Sequence, residues 1–304
     1  LGASEAKFKY GKGCRNILYI RYTGHKRVEH HKHLSKAIQF GGWDEVVVIN
    51  KAHVESRDFL TIYESFKLFL YRYECLGRVF IGEFRSLWMH QSAEILGVDS
   101  LYLLDDGIIT VSIQEQYLRN NHTNYPRTKS TKRKMFRLLR PKILRRKLYW
   151  RLMGLLGCSG EKKYNINLFT AFPIRPAVEQ EVVTNHYDYL RTSVNNEAVI
   201  DPTVYYFGTK YSEAGYFDLG VEISFLSRVF SFYRKRNQDI VYIAHRDDSI
   251  EKLDLITNDL GVKTLRFDGP AELYFLDSGY IPEAIGGAFS TAVINLRNIY
   301  GINE

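Results

Sequence analysis

Five short polar clusters in this 304-residue sequence combine side chains able to handle a phosphate and a proton. Asp105-Asp106-Gly107 offers paired carboxylates, which suit a base, a cation site or a turn, followed by a glycine that lets the backbone turn or approach a ligand closely. His245-Arg246 pairs an imidazole that titrates near neutrality with a guanidinium that donates two parallel hydrogen bonds to an oxyanion. Gly208-Thr209 and Ser290-Thr291 supply hydroxyls and backbone amides, and the amides that open a helix at Ser290-Thr291 suit phosphate oxygens. Gly269-Pro270-Ala271-Glu272 ends in a carboxylate able to accept both ribose hydroxyls, as acidic residues do at other nucleotide sites.

These clusters gain meaning from the elements that precede them. Short apolar runs predict strands at Ile17–Ile20, Glu45–Ile49, Arg78–Gly82 and Ser100–Leu104, with helical spacing at Val28–Phe40, Arg57–Tyr73 and Ser86–Leu96. Beyond residue 164 the alternation resumes. Strands are expected at Asn165–Thr170, Thr203–Phe207, Asp239–Ile243, Val262–Leu265 and Ile285–Phe289. Helices are expected at Asn185–Ser193, at Glu222–Lys235, from Ser249 to Leu260, from Ala271, and after Ser290-Thr291. Strand–helix alternation predicts an α/β protein with parallel sheets covered on both faces. In such sheets ligands bind beyond the carboxyl ends of strands, where the polar clusters fall, together with Thr23-Gly24-His25. Two runs of alternation predict two Rossmann-like domains facing each other across a cleft, 1–160 and 161–304, with the boundary between Gly160 and Asn195.

The net charge of +8 is local. Twelve of the 42 Lys/Arg lie between Arg127 and Arg151, where there is no Asp or Glu, leaving the rest of the chain mildly acidic. Over 127–156 apolar residues recur at helical steps between the cations, and Pro141 divides the segment into two helices. A surface apolar on one face and cationic on the other suits an anionic membrane, ahead of plain packing on the domain and ahead of nucleic acid, for which no recognition motif is present. His30, His31 and His33 do not share a helical face, so solvated histidines are expected there and not a metal site. Cys14, Cys75 and Cys158 lack metal-ligand spacing and read as thiols of a reducing compartment. Leu1–Lys7 is followed by no apolar signal-peptide core and reads as a vector-derived extension, and no stretch is long and apolar enough to span a bilayer. Phosphate-loop, dinucleotide-binding and hydrolase-elbow motifs are absent.

An Asp-Asp-Gly, then a strand-end His, a Gly-Pro-x-Glu and a terminal Ser-Thr, in that order across Leu101–Ala292, resemble the motifs of bacterial GT-B sialyltransferases, nearest to the lipooligosaccharide sialyltransferase and polysialyltransferase groups. His245-Arg246 stands where that family has His-Pro. The resemblance implies an inverting, metal-independent transfer of sialic acid from CMP-sialic acid to a glycan hydroxyl, with no cofactor. It makes Asp105 or Asp106 the base, with Asp106 favoured, and has His245 assist departure of CMP. Gly107, Gly208, Thr209, Arg246, Gly269, Glu272, Ser290 and Thr291 become donor-binding residues. With the basic segment, it implies a peripheral enzyme on the cytoplasmic face of the bacterial inner membrane, acting on an acceptor that is lipid-linked. Related transferases using CMP-Kdo or CDP-glycerol, and a non-catalytic basic adaptor, are the alternatives.

Overall fold

A computed structural model describes residues 1–22, 28–50, 66–71, 77–120, 149, 151–158, 165–195, 197–288 and 290–302. The chain is α/β, and every strand pair within the described residues is parallel. The first half contains helix α1 (Gly2–Tyr10), strand β1 (Ile17–Tyr22), helix α2 (Val28–Gly41) and strand β2 (Glu45–Asn50), with β1 and β2 forming a two-stranded sheet. It continues with β3 (Phe80–Ile81), α3 (Leu87–Leu96), β4 (Ser100–Leu104), α4 (Ile109–Gln116), β5 (Asn165–Thr170) and β6 (Val182–Thr184), whose four strands lie in the order β3-β4-β5-β6. β4 and β5 are central and buried along almost their whole length, as strands covered on both faces are. Leu101, Leu103, Ile166 and Leu168 pack with Ile81, Phe84, Ala93 and Ile113 in one core.

This pairing carries the first sheet past residue 160. β5 registers Asn165 to Phe169 against Ser100 to Leu104, and β6 pairs with β5, so both complete the first sheet. The changeover between sheets falls between Thr184 and Val199. The second sheet holds β7 (Val199–Phe207), β8 (Ile240–Ile243), β9 (Lys263–Leu265) and β10 (Tyr280–Gly287) in the order β10-β7-β8-β9. Between them run α6 (Leu219–Arg234), α7 (Ile250–Asn258) and α8 (Ala271–Ser278), with α9 (Thr291–Tyr300) after β10. Side chains alternate across the sheet. Tyr206 and Tyr242 face Leu226, Phe230 and Ile256 of α6 and α7, whereas Phe207 and Ile243 face Phe275 and Leu296 of α8 and α9.

Leu1–Lys7 are part of the fold. In α1, Glu5 is buried and its two carboxylate oxygens accept from Tyr189 N and Leu190 N, both at 2.9 Å, at the start of the short helix α5 (Asp188–Thr192). Burial raises the Glu5 pKa, and the two amides oppose the shift. α5 also joins the two halves, with Tyr189 Oη donating to Phe40 O and Tyr187 Oη to Asn295 Oδ1. Expected strand Arg78–Gly82 shortens to β3, and expected strand Ile285–Phe289 begins five residues earlier.

The histidines at 30, 31 and 33, the turn Thr23-Gly24-His25, Cys75 and most of 127–156 lie outside the described side chains or residues. At the described end of the basic segment, Met153 is buried with Leu68, Ile95 and Cys158, so this end packs on the protein. Among the described residues no helix is long and apolar enough to cross a membrane.

Candidate functional site

The second sheet changes direction at β7. The chain goes outward through β8 and β9, then returns to place β10 on the other side of β7, so the loops leaving β7 and β10 diverge. That divergence opens a crevice at the carboxyl edge of a parallel sheet. Here it is a cleft of about 280 Å³, and of the residues singled out in the sequence Gly208, His245, Arg246, Gly269, Ser290 and Thr291 line it.

His245 follows β8, where Ala244 N still donates to Leu265 O in continuation of the ladder. A tight turn then holds the ring: His245 N donates to Asp248 Oδ2 at 2.8 Å and Asp247 N donates to His245 Nδ1 at 3.1 Å. An Nδ1 that accepts has its lone pair occupied, which leaves the proton of the neutral ring on Nε2. Burial pushes the His245 pKa below its ordinary value, with Arg246 and Lys210 adding to the shift while Asp248 and Asp247 oppose it. His245 is thus a neutral Nε2–H donor at pH 7.

Two helices begin at the cleft. Ser290 is the N-cap of α9 and Pro270 that of α8, and neither end carries a side-chain cap. Uncapped amides and the positive ends of two helix dipoles favour an anion. Arg266, which the sequence reading passed over, also lines the cleft and ties its wall together, donating to Asp248 O at 3.0 Å and Arg246 O at 3.4 Å. Its only sequence signal was its place one residue past a predicted strand.

Gly208 is a packing requirement as well as a cleft residue, because a Cβ there would collide with the buried Tyr242 hydroxyl. Thr209 turns away from the cleft and donates to Ala288 O at 2.7 Å. Glu272 is also outside the lining. Its Oε1 accepts from Asn295 Nδ2 at 2.7 Å, and Asn295 in turn accepts from Tyr187 Oη at 2.6 Å. The expected ribose contact is therefore replaced by an internal bridge between α8, α9 and the start of α5, since Glu272 falls on the buried side of its helix.

The first half reaches the cleft at two points. Gly107 adopts φ +66°, and a Cβ on it would lie 3.0 Å from Thr291 Cγ2. On α2 the stem of Lys36 packs at Gly269, where a Cβ would lie 2.8 Å from Lys36 Cδ. The two aspartates before Gly107 point in different directions, as successive residues leaving a strand do. Asp105 turns inward: Oδ2 accepts from Ala171 N at 2.7 Å, and Oδ1 is buried. Burial raises its pKa, opposed by the Thr170 and Thr110 hydroxyls and the Ala171 amide. Asp106 turns outward, its side chain 35% exposed, with Oδ2 3.3 Å from Arg85 Nη2 and its amide donating to Thr110 Oγ1 at 2.9 Å. Neither aspartate lines the cleft, but the Asp106–Gly107 turn abuts Thr291 on its wall.

Among the described residues no group of three His, Cys, Asp or Glu side chains could hold a metal ion. Comparison of the chain with protein-family models and with curated proteins found no match.

Proposed function

We propose that this chain is an inverting glycosyltransferase of GT-B type that transfers sialic acid from CMP-sialic acid to a glycan hydroxyl. The observation that carries the reading is the pairing of an Nε2–H donor on His245 with the uncapped N-terminus of α9 on one switch-point cleft. Such a cleft suits a phosphate whose ester bond is about to break. The approach of Gly107 to Thr291 and of Lys36 to Gly269 supports two Rossmann-like halves meeting around one donor site.

In this reaction the acceptor oxygen attacks the anomeric carbon from the face opposite CMP. The new carbon–oxygen bond forms as the bond from the anomeric carbon to the phosphate oxygen breaks, so configuration inverts. Asp106, exposed beside the cleft, takes the hydroxyl proton. His245 Nε2–H and the first amides of α9 meet the charge that gathers on the departing phosphate, and Arg246 adds a cation on the same wall. A lipid-linked acceptor would be reached through the basic segment 127–156 at an anionic membrane surface.

The test is ligand-induced thermal shift with CMP, followed by acceptor-free hydrolysis of CMP-sialic acid. CMP at about 100 times its Kd should stabilise the fold by roughly 2.7 kcal/mol, and CMP-sialic acid should be consumed slowly without acceptor. CMP-Kdo and CDP-glycerol in the same assay identify a different donor. A folded protein that neither responds to CMP nor consumes any of these donors is not a transferase of this kind.

A further inference from the structure

Beneath the His245 turn lies a buried ammonium. Lys252, on the first turn of α7, has no solvent exposure, and its Nζ pairs with Glu222, with Asp248 Oδ1 at 3.0 Å and with Glu213 Oε2 at 3.5 Å. It also donates to Thr209 O at 2.9 Å. Burial alone would strip the proton from a lysine. Here Glu222 and Asp248 outweigh it and hold the pKa above the ordinary lysine value, so the group is a permanent cation. Replacing such a buried cluster by apolar side chains is often no worse for stability. What an apolar side chain lacks is direction.

Each carboxylate around Lys252 also holds a backbone amide. Asp248 Oδ2 accepts from His245 N at 2.8 Å and from Tyr242 Oη at 3.0 Å. Glu222 Oε2 accepts from Ser212 N and Glu213 Oε1 from Ser249 N, both at 2.9 Å. On its other side Thr209, whose carbonyl Lys252 holds, sends its hydroxyl to Ala288 O at 2.7 Å, and Tyr211 Oη joins it at 3.2 Å. Ala288 lies two residues before Ser290. One ammonium is thereby linked to the loops leaving β7, β8 and β10, the three whose relative placement sets the distance from His245 to the head of α9.

We propose that Lys252 is a positioning residue for the proposed transfer: acting through Asp248, it holds His245 in the Nε2–H tautomer and at a set distance from Ser290-Thr291. The inference rests on the CMP-sugar reading for its kinetic consequence, but the tautomer itself is independent of that reading. Misplacing a reacting group by about 1 Å costs on the order of 10²-fold in rate.

Two variants test it. Lys252→Met removes the cation. Asp248→Asn keeps size and shape, yet an amide has only one oxygen to accept with, so Lys252 and His245 N cannot both be satisfied whichever way it turns. Acceptor-free hydrolysis of CMP-sialic acid at saturating donor should fall by about 10–100-fold in either variant, with CMP affinity changed less than about threefold. The ¹⁵N imidazole shifts of His245, assigned by their loss in His245→Asn, should move from a single Nε2–H tautomer to a mixture. If Lys252→Met does not fold, Asp248→Asn decides. A folded variant that keeps the wild-type His245 tautomer overturns the proposal, as does one whose hydrolysis and CMP affinity fall together. Wild-type protein that binds no CMP overturns the function but leaves the tautomer comparison to judge Lys252.

Discussion

Replacing Asp105 separates the two aspartates that the sequence presents as equivalent. Asp105 Oδ2 accepts from Ala171 N at 2.7 Å and joins the end of β4 to the segment after β5, and Oδ1 is buried. Asp105→Ala leaves the Ala171 amide without its acceptor, and an unsatisfied buried group costs about 1–3 kcal/mol. For a unit of this size that is a fall in melting temperature of roughly 2–4 °C per kcal/mol. Asp105→Asn behaves differently. It keeps an oxygen for Ala171 and removes a charge whose burial raises the pKa, so at pH 7 it should be neutral or stabilising. The sign follows from linkage: a carboxyl with a raised folded pKa favours folding below its ordinary value of 3.8 and loses that contribution as pH rises through the folded pKa. The melting temperature of Asp105→Asn should therefore rise relative to wild type as pH goes from 3 to 7. Transfer should remain within a fewfold of wild type in Asp105→Asn, but fall by about 10²–10⁴-fold in Asp106→Asn, with CMP binding intact. Loss of transfer in Asp105→Asn with unchanged stability would assign the base to Asp105, and Asp105→Ala melting like wild type would refute the structural role.

Other outcomes follow from the same geometry. His245→Ala should slow both transfer and acceptor-free hydrolysis, since both expel CMP, and hydrolysis at the wild-type rate would remove His245 from that step. Because burial lowers the His245 pKa, the unfolded chain takes up the proton first. Its contribution to stability is complete above its ordinary value of 6.5 and is lost as pH falls from there through the lower folded pKa, so His245→Asn should melt with a weaker pH dependence over that window. Gly208→Ala should destabilise by about 1–3 kcal/mol in urea melts by forcing the buried Tyr242 ring and hydroxyl aside, and a wild-type midpoint would refute the close packing. The basic segment should co-sediment with anionic vesicles at about 1 kcal/mol per cation near the surface, weakening with salt, and binding indifferent to lipid charge and ionic strength would reject it.

Much of the architecture was legible in one dimension. The bounds of Ser100–Leu104 were legible because a buried central strand is a short apolar run flanked by polar residues, and those of Asn165–Thr170 because β-branched and large apolar residues recur within it. The head of α7 was legible for an equally local reason: Ser249 caps it, accepting from Lys252 N at 3.2 Å. α1 and α4 escaped notice because neither carries a clear apolar stripe, and β6 because it has only three residues.

The sequence alone marked most of the strands and helices and put the polar clusters at strand ends, since period, caps and turn residues act over a few positions. Tertiary packing decided the rest. Nothing local says that β5 pairs with β4 and β6 with β5, that Glu272 turns to Asn295 and away from the cleft, or that Asp105 faces inward while Asp106 faces water. Lys252 shows the reason most clearly. In the sequence it is one lysine of a helix's first turn, and only the arrival of Glu222, Asp248 and Glu213 from other elements makes it a buried cation. A side chain's charge is written in the sequence, but its solvation and its partners depend on residues brought together by the fold.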